Sequence, residues 1–267
     1  MSNIIDYKGA KINYLDKGAG LPLVFLHGYL ESIDIWKPFI DRFSNQYRVI
    51  CIDLPGHGKS DILPNAYSLD KVAEVVRFIL DILFIDKCIL IGHSMGGYVT
   101  MSFVENHTDR LLGYCLFHST PFADSEEKKN SRQREIELVK EGNKKLIVES
   151  SVANRFADEN VYRMKEEIEF AKELAENTPD EGIIAALIGM MERPDRSYIL
   201  ENSPVPCLWI LGKYDNYINY ENIIKNYKSL KNVEIFILEN SGHMGFIEEP
   251  DEAEFKLKDF INNCIKK

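Results

Sequence analysis

Residues 88–97 read CILIGHSMGG, and this stretch decides the fold. The apolar run 88–91 predicts a buried strand, which stops at a G-x-S-x-G motif and is followed by a helix-like segment. A strand, this motif and a helix together indicate a nucleophile elbow, a sharp turn that holds a serine in a strained backbone conformation. Gly92 and Gly96 leave free the space that side chains would otherwise fill. Ser94 is therefore the candidate nucleophile, with the free N–H groups of the following helix behind it.

The composition is that of an ordinary globular chain with an excess of acid. At 267 residues, 45% hydrophobic and 28% charged, the chain can form one large α/β domain with a full core. The formal net charge of −10 argues against nucleic acid or an anionic membrane as a partner. No apolar stretch is long enough to cross a bilayer, and the N-terminal MSNIID lacks the features of a signal peptide. We expect a cytoplasmic protein, monomeric or homodimeric, that acts on a small molecule.

The cysteines indicate a reducing compartment. There are five, an odd number, and none forms a C-x-x-C pair. This usage predicts buried reduced thiols, without a disulfide framework or a metal site. The five are Cys51, Cys88, Cys115, Cys207 and Cys264.

Strands alternate with helices in the first 120 residues and again after residue 200, which predicts a mostly parallel sheet covered on both faces. Residues 3–16 read as an edge hairpin, residues 35–45 as a helix, and Ser68 as the cap of a further helix.

Residues 121–200 interrupt this alternation. They are highly charged and have no strand-like run, and helical periodicity is present in 135–146, 158–176 and 181–191. We interpret the segment as a helical cap inserted over one edge of the sheet, so that residues 1–120 and 201–267 form the core. An ordinary peripheral helical layer is the alternative.

Three residue types needed for acyl transfer fall in loops directly after predicted strands: Ser94, Asp215 and His243. Because parallel strands end at one edge of a sheet, these loops can converge there. Serine needs a nearby base, and histidine needs a carboxylate to hold its tautomer. Asp124 and Asp195 are the rivals for the acid, but neither directly follows a strand.

Five further segments occur in the order and spacing of one known family. The chain resembles the α/β-hydrolase superfamily, as a capped, carboxylesterase-like serine hydrolase, over essentially its whole length. The segments are His27-Gly28, DLPGHGKS at 53–60, GHSMGG at 92–97, LGKYD at 211–215 and SGHMGFIEEP at 241–250. The resemblance implies the α/β-hydrolase fold, with about eight mostly parallel strands, helices on both faces and a helical cap. It also implies an oxyanion hole made by the backbone N–H groups of Tyr29 and Met95.

Apolar and aromatic residues near the expected cleft are candidates for an acyl pocket, although such residues are more often core. As substrate contacts we single out His118, Phe122, Phe156, Ile218 and Met244. The basic residues Lys128, Lys129, Arg132 and Arg134 read as a solvated helix surface.

The sequence thus predicts a serine hydrolase that cleaves a small carboxylic ester, or a related acyl substrate, through an acyl-enzyme on Ser94. No cofactor or metal is called for. Two alternatives use the same fold: a carbon–carbon bond hydrolase and a menaquinone-pathway synthase-like lyase. Carbon–carbon bond hydrolases tend to carry Asn in place of His93. The lyase needs pocket arginines, for which Arg155 and Arg193 are candidates. A weakly catalytic ligand receptor of this fold is the alternative from another class.

Overall fold

The computed structural model describes residues 2–64 and 67–266, which build one eight-stranded sheet. The strands lie in the order β1-β2-β4-β3-β5-β6-β7-β8, and every pair from β4 to β8 is parallel. Only β2 pairs antiparallel with its two neighbours among the described strands. The strands are β1 Ser2–Tyr7, β2 Ala10–Lys17, β3 Pro22–Leu26, β4 Arg48–Ile52, β5 Cys88–His93, β6 Leu111–Phe117, β7 Cys207–Gly212 and β8 Val233–Leu238.

Twelve α-helices connect or flank these strands in the described part of the chain. None of them is long and apolar enough to reach across a lipid bilayer. The helices are α1 Ile33–Ile40, α2 Leu69–Ile82, α3 Met95–His107, α4 Glu126–Lys140, α5 Lys144–Ala153, α6 Asp158–Val161, α7 Lys165–Glu176, α8 Asp180–Glu192, α9 Ser197–Asn202, α10 Tyr220–Tyr227, α11 Gly245–Glu248 and α12 Pro250–Ile265.

The central strands are buried on both faces, which explains their nearly continuous apolar sequences. Every residue of β5 and β7 is buried, as expected of a parallel sheet covered by helices on both sides. The predicted fold class is confirmed. The predicted edge hairpin is also present, and its turn uses the left-handed region at Lys8 and Gly9, with φ of 52° and 88°.

Three predicted helices have different bounds in the structure. The helix expected at 158–176 is α6 and α7, separated at residues 162–164. The helix expected at 35–45 is α1, which begins earlier because the Ser32 hydroxyl accepts a hydrogen bond from the Asp34 N–H. The helix expected at 135–146 is two helices. They are separated at Gly142, whose φ of 77° cannot continue α4.

Helices α4 to α9 form a helical insertion, residues 126–202, between β6 and β7. Its backbone touches the sheet loops where glycines leave room. A Cβ on Gly182 of α8 would stand 2.0 Å from the carbonyl oxygen of Gly56, and a Cβ on Gly242 would stand 2.6 Å from the nitrogen of Ala157. The division into core and cap at residues 121–200 stays a prediction, while the close docking of the insertion is a feature of the structure.

The turn between β5 and α3 has the geometry of the predicted elbow. Ser94 adopts φ 49° and ψ −113°, a conformation that side-chain-bearing residues rarely adopt. A Cβ on Gly92 would stand 2.3 Å from the Gly96 carbonyl oxygen, and a Cβ on Gly96 would stand 2.4 Å from the Leu26 carbonyl oxygen. Both contacts are with backbone, which cannot turn aside as a side chain can. The tight turn therefore depends on these two glycines.

We expect Gly92→Ala to lower the free energy of unfolding by about 1–3 kcal/mol or more, because the added methyl group overpacks a rigid backbone contact. Gly142→Ala is the matched control, since nothing lies within 4 Å of its added Cβ and only the positive φ penalises it. Urea denaturation of both variants measures the difference. Equal losses in the two variants would contradict the steric account of the elbow.

Candidate active site

Ser94 lies where β5 ends and α3 begins, and it lines a cavity of about 820 Å³ at the carboxyl edge of the sheet. Its backbone is held on both sides. The Ser94 N–H donates to the Phe117 carbonyl at 3.0 Å, and the Ser94 carbonyl accepts the Ser119 hydroxyl at 2.7 Å. The neighbouring strand β6 thus fixes the strained turn in place.

His243 and Asp215 form a buried hydrogen-bonded pair at the same edge. The Nδ1 atom of His243 lies 2.7 Å from Oδ2 of Asp215, whose side chain is fully buried. The other carboxylate oxygen, Oδ1, accepts the N–H groups of Tyr217 at 2.8 Å and Ile218 at 3.2 Å. The carboxylate is therefore aimed by the loop after β7, and its acceptor Oδ2 faces the imidazole.

The electrostatics of the pair favour a charged acid and a neutral base. Burial raises the pKa of Asp215, but the nearby imidazoles of His243 and His118 outweigh it and hold that pKa well below its usual range. Burial also lowers the pKa of His243 to about 4, although the charge of Asp215 opposes this. At neutral pH, His243 is thus unprotonated at its free nitrogen and can accept a proton.

His118 is a buried neighbour of Asp215 and is absent from the described lining of the cavity, and its predicted contact with substrate stays a prediction. The residue is fully buried, and its Nε2 accepts the Gly245 N–H at 3.0 Å. Its Nδ1 therefore carries the proton, 3.5 Å from Oδ2 of Asp215. His118 thus helps to hold the Asp215 carboxylate in place.

The other predicted substrate contacts divide between cavity and core. Phe122 and Ile218 line the cavity together with Tyr29, Ser94 and His243. Phe156 and Met244 are fully buried in the core and absent from the described lining, and their contact with substrate stays a prediction.

The backbone N–H groups of Tyr29 and Met95 are the two donors predicted for an oxyanion hole. Tyr29 follows β3, and Met95 is the first residue of α3. Neither N–H donates to another group within residues 2–64 and 67–266. Two free donors beside the candidate nucleophile can bind a developing oxyanion. Their assignment as an oxyanion hole stays a prediction.

Sequence reasoning missed Glu31, a buried carboxylate that joins several parts of the site. One oxygen, Oε2, accepts the Gly28 N–H at 2.6 Å and lies 2.9 Å from Nδ1 of His93. The other, Oε1, lies 3.2 Å from a guanidinium nitrogen of Arg155. His93 in turn contacts the carbonyl of His243 through Nε2 at 2.9 Å. The only sequence signal for Glu31 was the position of this residue in the loop after β3, at the edge of the sheet where the site lies.

Burial alone raises the pKa of Glu31, but His93, Arg155 and the Gly28 N–H together lower it to about 2. The carboxylate is therefore ionised at neutral pH, although it is 2% exposed. A buried charge of this kind is stable only because its partners surround it.

A second ionic cluster corrects the prediction of a solvated basic surface on α4 at one residue, Arg132. Arg132 is 7% exposed and lies 2.6 Å from Oδ2 of Asp124, while Arg193 lies 2.8 Å from Oδ1 of the same carboxylate. Asp124 is thus held by two arginines, and the structure pairs His243 with Asp215 instead. Asp195, the other rival for the acid, is exposed and accepts the Ser197 N–H.

His118, Asp215 and His243 also form the one group of potential metal ligands found among the described residues, with ligand atoms within 4.8 Å of one another. Hydrogen bonding accounts for this proximity. The imidazole nitrogens that face Asp215 are the two Nδ1 atoms, and the Nδ1 of His243 is within 2.7 Å of the carboxylate as a donor.

We expect Glu31→Gln to reduce the free energy of unfolding at pH 7 by about 3–5 kcal/mol, because it leaves the buried Arg155 without its counter-ion. The folded-state pKa lies below the ordinary value of 4.5, so the wild-type advantage is complete above that pH and disappears as pH falls toward about 2. Urea denaturation at pH 7 and at pH values below 5 measures this. Glu176→Gln, an exposed change on α7, is the control, and equal stability of the two variants at pH 7 would contradict the prediction.

Comparison with known proteins places the chain in a family. The model of the alpha/beta hydrolase fold family matches residues 22–250. A 2-hydroxy-6-oxononadienedioate/2-hydroxy-6-oxononatrienedioate hydrolase of Paraburkholderia phymatum is 28% identical, over 94% of this chain and 91% of the relative. A thermophilic esterase from Thermogutta terrifontis, solved with malate bound, superposes with a TM-score of 0.92 at 26% identity and covers 99% of both chains.

A further relative matches over a smaller part. It is the dihydrolipoyllysine-residue acetyltransferase component of the acetoin cleaving system of Cupriavidus necator, 32% identical over 45% of this chain. The chain spans 32% of the length of that relative. The family match nevertheless covers most of the chain, and it includes the elbow, the Asp215 loop and the His243 loop. The chain belongs to the α/β-hydrolase fold family and is an enzyme of its hydrolase class.

Proposed function

We propose that this protein is a serine hydrolase that cleaves a small carboxylic ester, or a related acyl substrate, through a Ser94–His243–Asp215 triad. One observation carries the proposal: the buried 2.7 Å pair of His243 and Asp215 opens onto the same cavity as Ser94 on its strained turn. A nucleophile, a base and a carboxylate that orients the base are the minimum set for acyl transfer by a serine.

In the first half of the reaction, Nε2 of His243 takes the hydroxyl proton of Ser94 while Oγ attacks the ester carbonyl carbon. Nε2 is the acceptor because Nδ1 carries the proton that is donated to Asp215. The carbonyl oxygen becomes an oxyanion, which the N–H groups of Tyr29 and Met95 bind. Loss of one such donor typically costs about 10²–10³ in rate.

The protonated His243 then gives its proton to the leaving alcohol as the bond to the acyl carbon breaks, which completes the acyl-enzyme. In the second half, a water molecule loses a proton to His243 and attacks the carbonyl carbon of the acyl-enzyme, whose oxygen becomes an oxyanion bound by the same two N–H groups. Collapse of this intermediate releases the carboxylic acid and returns the proton to Ser94 Oγ. Asp215 remains ionised throughout, since its low pKa keeps it charged.

The esterase from Thermogutta terrifontis supports ester hydrolysis, because it matches the whole chain at 26% identity. Carbon–carbon bond hydrolysis is the second candidate, and the whole-length similarity to the Paraburkholderia phymatum hydrolase favours it. The same serine, histidine and aspartate are available for either reaction. The two candidates differ in which bond beside the carbonyl breaks.

We expect hydrolysis of p-nitrophenyl esters of increasing acyl length, with kcat falling by at least about 10⁴-fold in Ser94→Ala because the nucleophile is lost. Ser229→Ala, an exposed change beyond α10, is the matched control and keeps wild-type rates. The dependence on acyl length reports the size of the acyl pocket.

Turnover that persists in Ser94→Ala would overturn the assignment of the nucleophile. Absence of ester turnover in the wild type, with cleavage of a vinylogous 1,5-diketone, would favour the carbon–carbon hydrolase. Absence of both reactions would leave the ligand-receptor alternative.

The pH dependence of kcat/KM tests the role of His243. Since burial lowers its pKa to about 4, the base stays unprotonated down to that pH, and kcat/KM falls only as pH drops through about 4. The groups facing the imidazole are Asp215, His93, His118 and Tyr217. Rates measured between pH 3.5 and 8, with circular dichroism to show that the fold persists, provide the profile. An acid limb at pH 6.5 would contradict the buried, neutral base.

A further inference from the structure

The charges that line the cavity are not balanced. Four cationic side chains line it, against two carboxylates, in a chain whose net charge is −10. One of the four, Arg155, is paired with Glu31, which is outside the described lining. The cations are Lys128, Arg132, Arg155 and Arg193, and the acids are Asp124 and Glu135. An excess of positive charge inside an acidic protein is a local feature that overall composition does not explain.

Two of the three buried arginines of the lining share one acid. Arg132 and Arg193 both contact Asp124, so the three groups carry one surplus positive charge. Arg193 is fixed further, because its guanidinium lies 3.8 Å from the centre of the Tyr98 ring and donates to the carbonyls of Phe122 and Met190. The cluster is therefore a rigid, positively charged wall.

The second acid, Glu135, forms no salt bridge with these arginines in the described part of the chain. Burial raises the pKa of Glu135, although Arg132 and Lys128 oppose the rise. One of its carboxylate oxygens accepts the hydroxyl of Tyr29 at 3.5 Å.

Lys128, in front of this wall, is the cation of the lining that is available to a ligand. Within the described ranges 2–64 and 67–266 it forms no salt bridge, and its ammonium lies 5.1 Å from the centre of the Tyr217 ring. The Tyr217 ring is in turn 5.1 Å from the ring of His243. The Tyr217 ring therefore lies between the ammonium of Lys128 and the imidazole of His243. An extended substrate with its ester at Ser94 can place a terminal group there.

We propose that the substrate carries a carboxylate on its acyl side, bound by Lys128 in front of the Arg132–Arg193 wall. The substrate class is the monoester of a small dicarboxylic acid. This inference rests on the proposed function, because it assumes that the ester reacts at Ser94. A carboxylate at this place forms a charge-assisted hydrogen bond with the lysine ammonium and neutralises the surplus charge of the wall.

The experiment compares matched ester pairs of equal chain length, monomethyl succinate, glutarate and adipate against the corresponding neutral methyl alkanoates, by continuous titration of the acid released. We expect kcat/KM to favour one monoester by about 10-fold or more, as a hydrogen bond to a charged group does. The preference should weaken as salt is raised from 0.05 to 0.5 M, because the cavity is open to solvent.

Variants assign the preference to one side chain. Lys128→Gln should remove most of the preference, mainly through KM, and Lys128→Arg should restore part of it. Lys129→Gln is the matched control, since Lys129 is the adjacent lysine on α4, pairs with Glu126 and is absent from the described lining. It should keep the wild-type preference.

The outcomes separate this inference from the proposed function. If neutral esters are cleaved through Ser94 with no preference for any monoester, or with a preference that survives in Lys128→Gln, the inference is wrong and the proposed function stands. If no ester is cleaved, the proposed function is wrong. Isothermal titration of glutarate into wild type and Lys128→Gln then tests the anion site independently of ester cleavage. Absence of saturable, Lys128-dependent binding would overturn the inference.

Discussion

The buried carboxylate of Glu31 is the interaction on which the arrangement of the site depends. It joins the loop after β3 through Gly28, the elbow strand through His93, and the helical insertion through Arg155. His93 extends this connection to the backbone of His243. Because a buried charge needs all of its partners, the four segments can take up only those relative positions that surround the carboxylate. The relative positions of the Gly28 loop, the Ser94 turn and the His243 loop are thus fixed by one desolvated group.

The histidines show how the same residue type takes different roles through burial. His27 accepts the Leu54 N–H and braces one loop. His118 helps to hold Asp215 in place, and His93 contacts Glu31. Only His243 combines a carboxylate partner with a position on the cavity. Burial keeps His243 neutral, which is the state that a proton acceptor requires.

Much of the fold followed from patterns that act locally. The apolar strands, the glycines at Gly92 and Gly96 and the cap at Ser68 are decided by neighbouring residues, and the structure has each of them. The convergence of Ser94, Asp215 and His243 followed from the rule that parallel strands end at one edge. The charged residues of the insertion were not predictable in this way. Arg132 reads as a surface residue along its own helix, and only the opposing Asp124 and Arg193 make it a buried one.

The positions of the apolar candidates depend on tertiary packing in a related way. Phe156 and Met244 lie next to site residues in the sequence, but side-chain direction is set by the packing of the insertion on the histidine loop. Phe122 and Ile218, in loops at the strand ends, do reach the cavity. Residue type and neighbourhood therefore identify the cleft, while tertiary packing selects which side chains face it.

The docking of the helical insertion through glycines has a consequence for how this protein can diversify. The insertion meets the sheet loops backbone to backbone at Gly182 and Gly242, and the His243 N–H donates to the Arg155 carbonyl at 2.5 Å. These contacts involve main-chain atoms, so they tolerate wide change in the surrounding side chains as long as the glycines persist. The side chains of the cavity wall can therefore change to suit new substrates while the position of His243 is kept. A helical insertion taken from another protein, in contrast, must preserve both contact points to leave the His243 loop undisturbed.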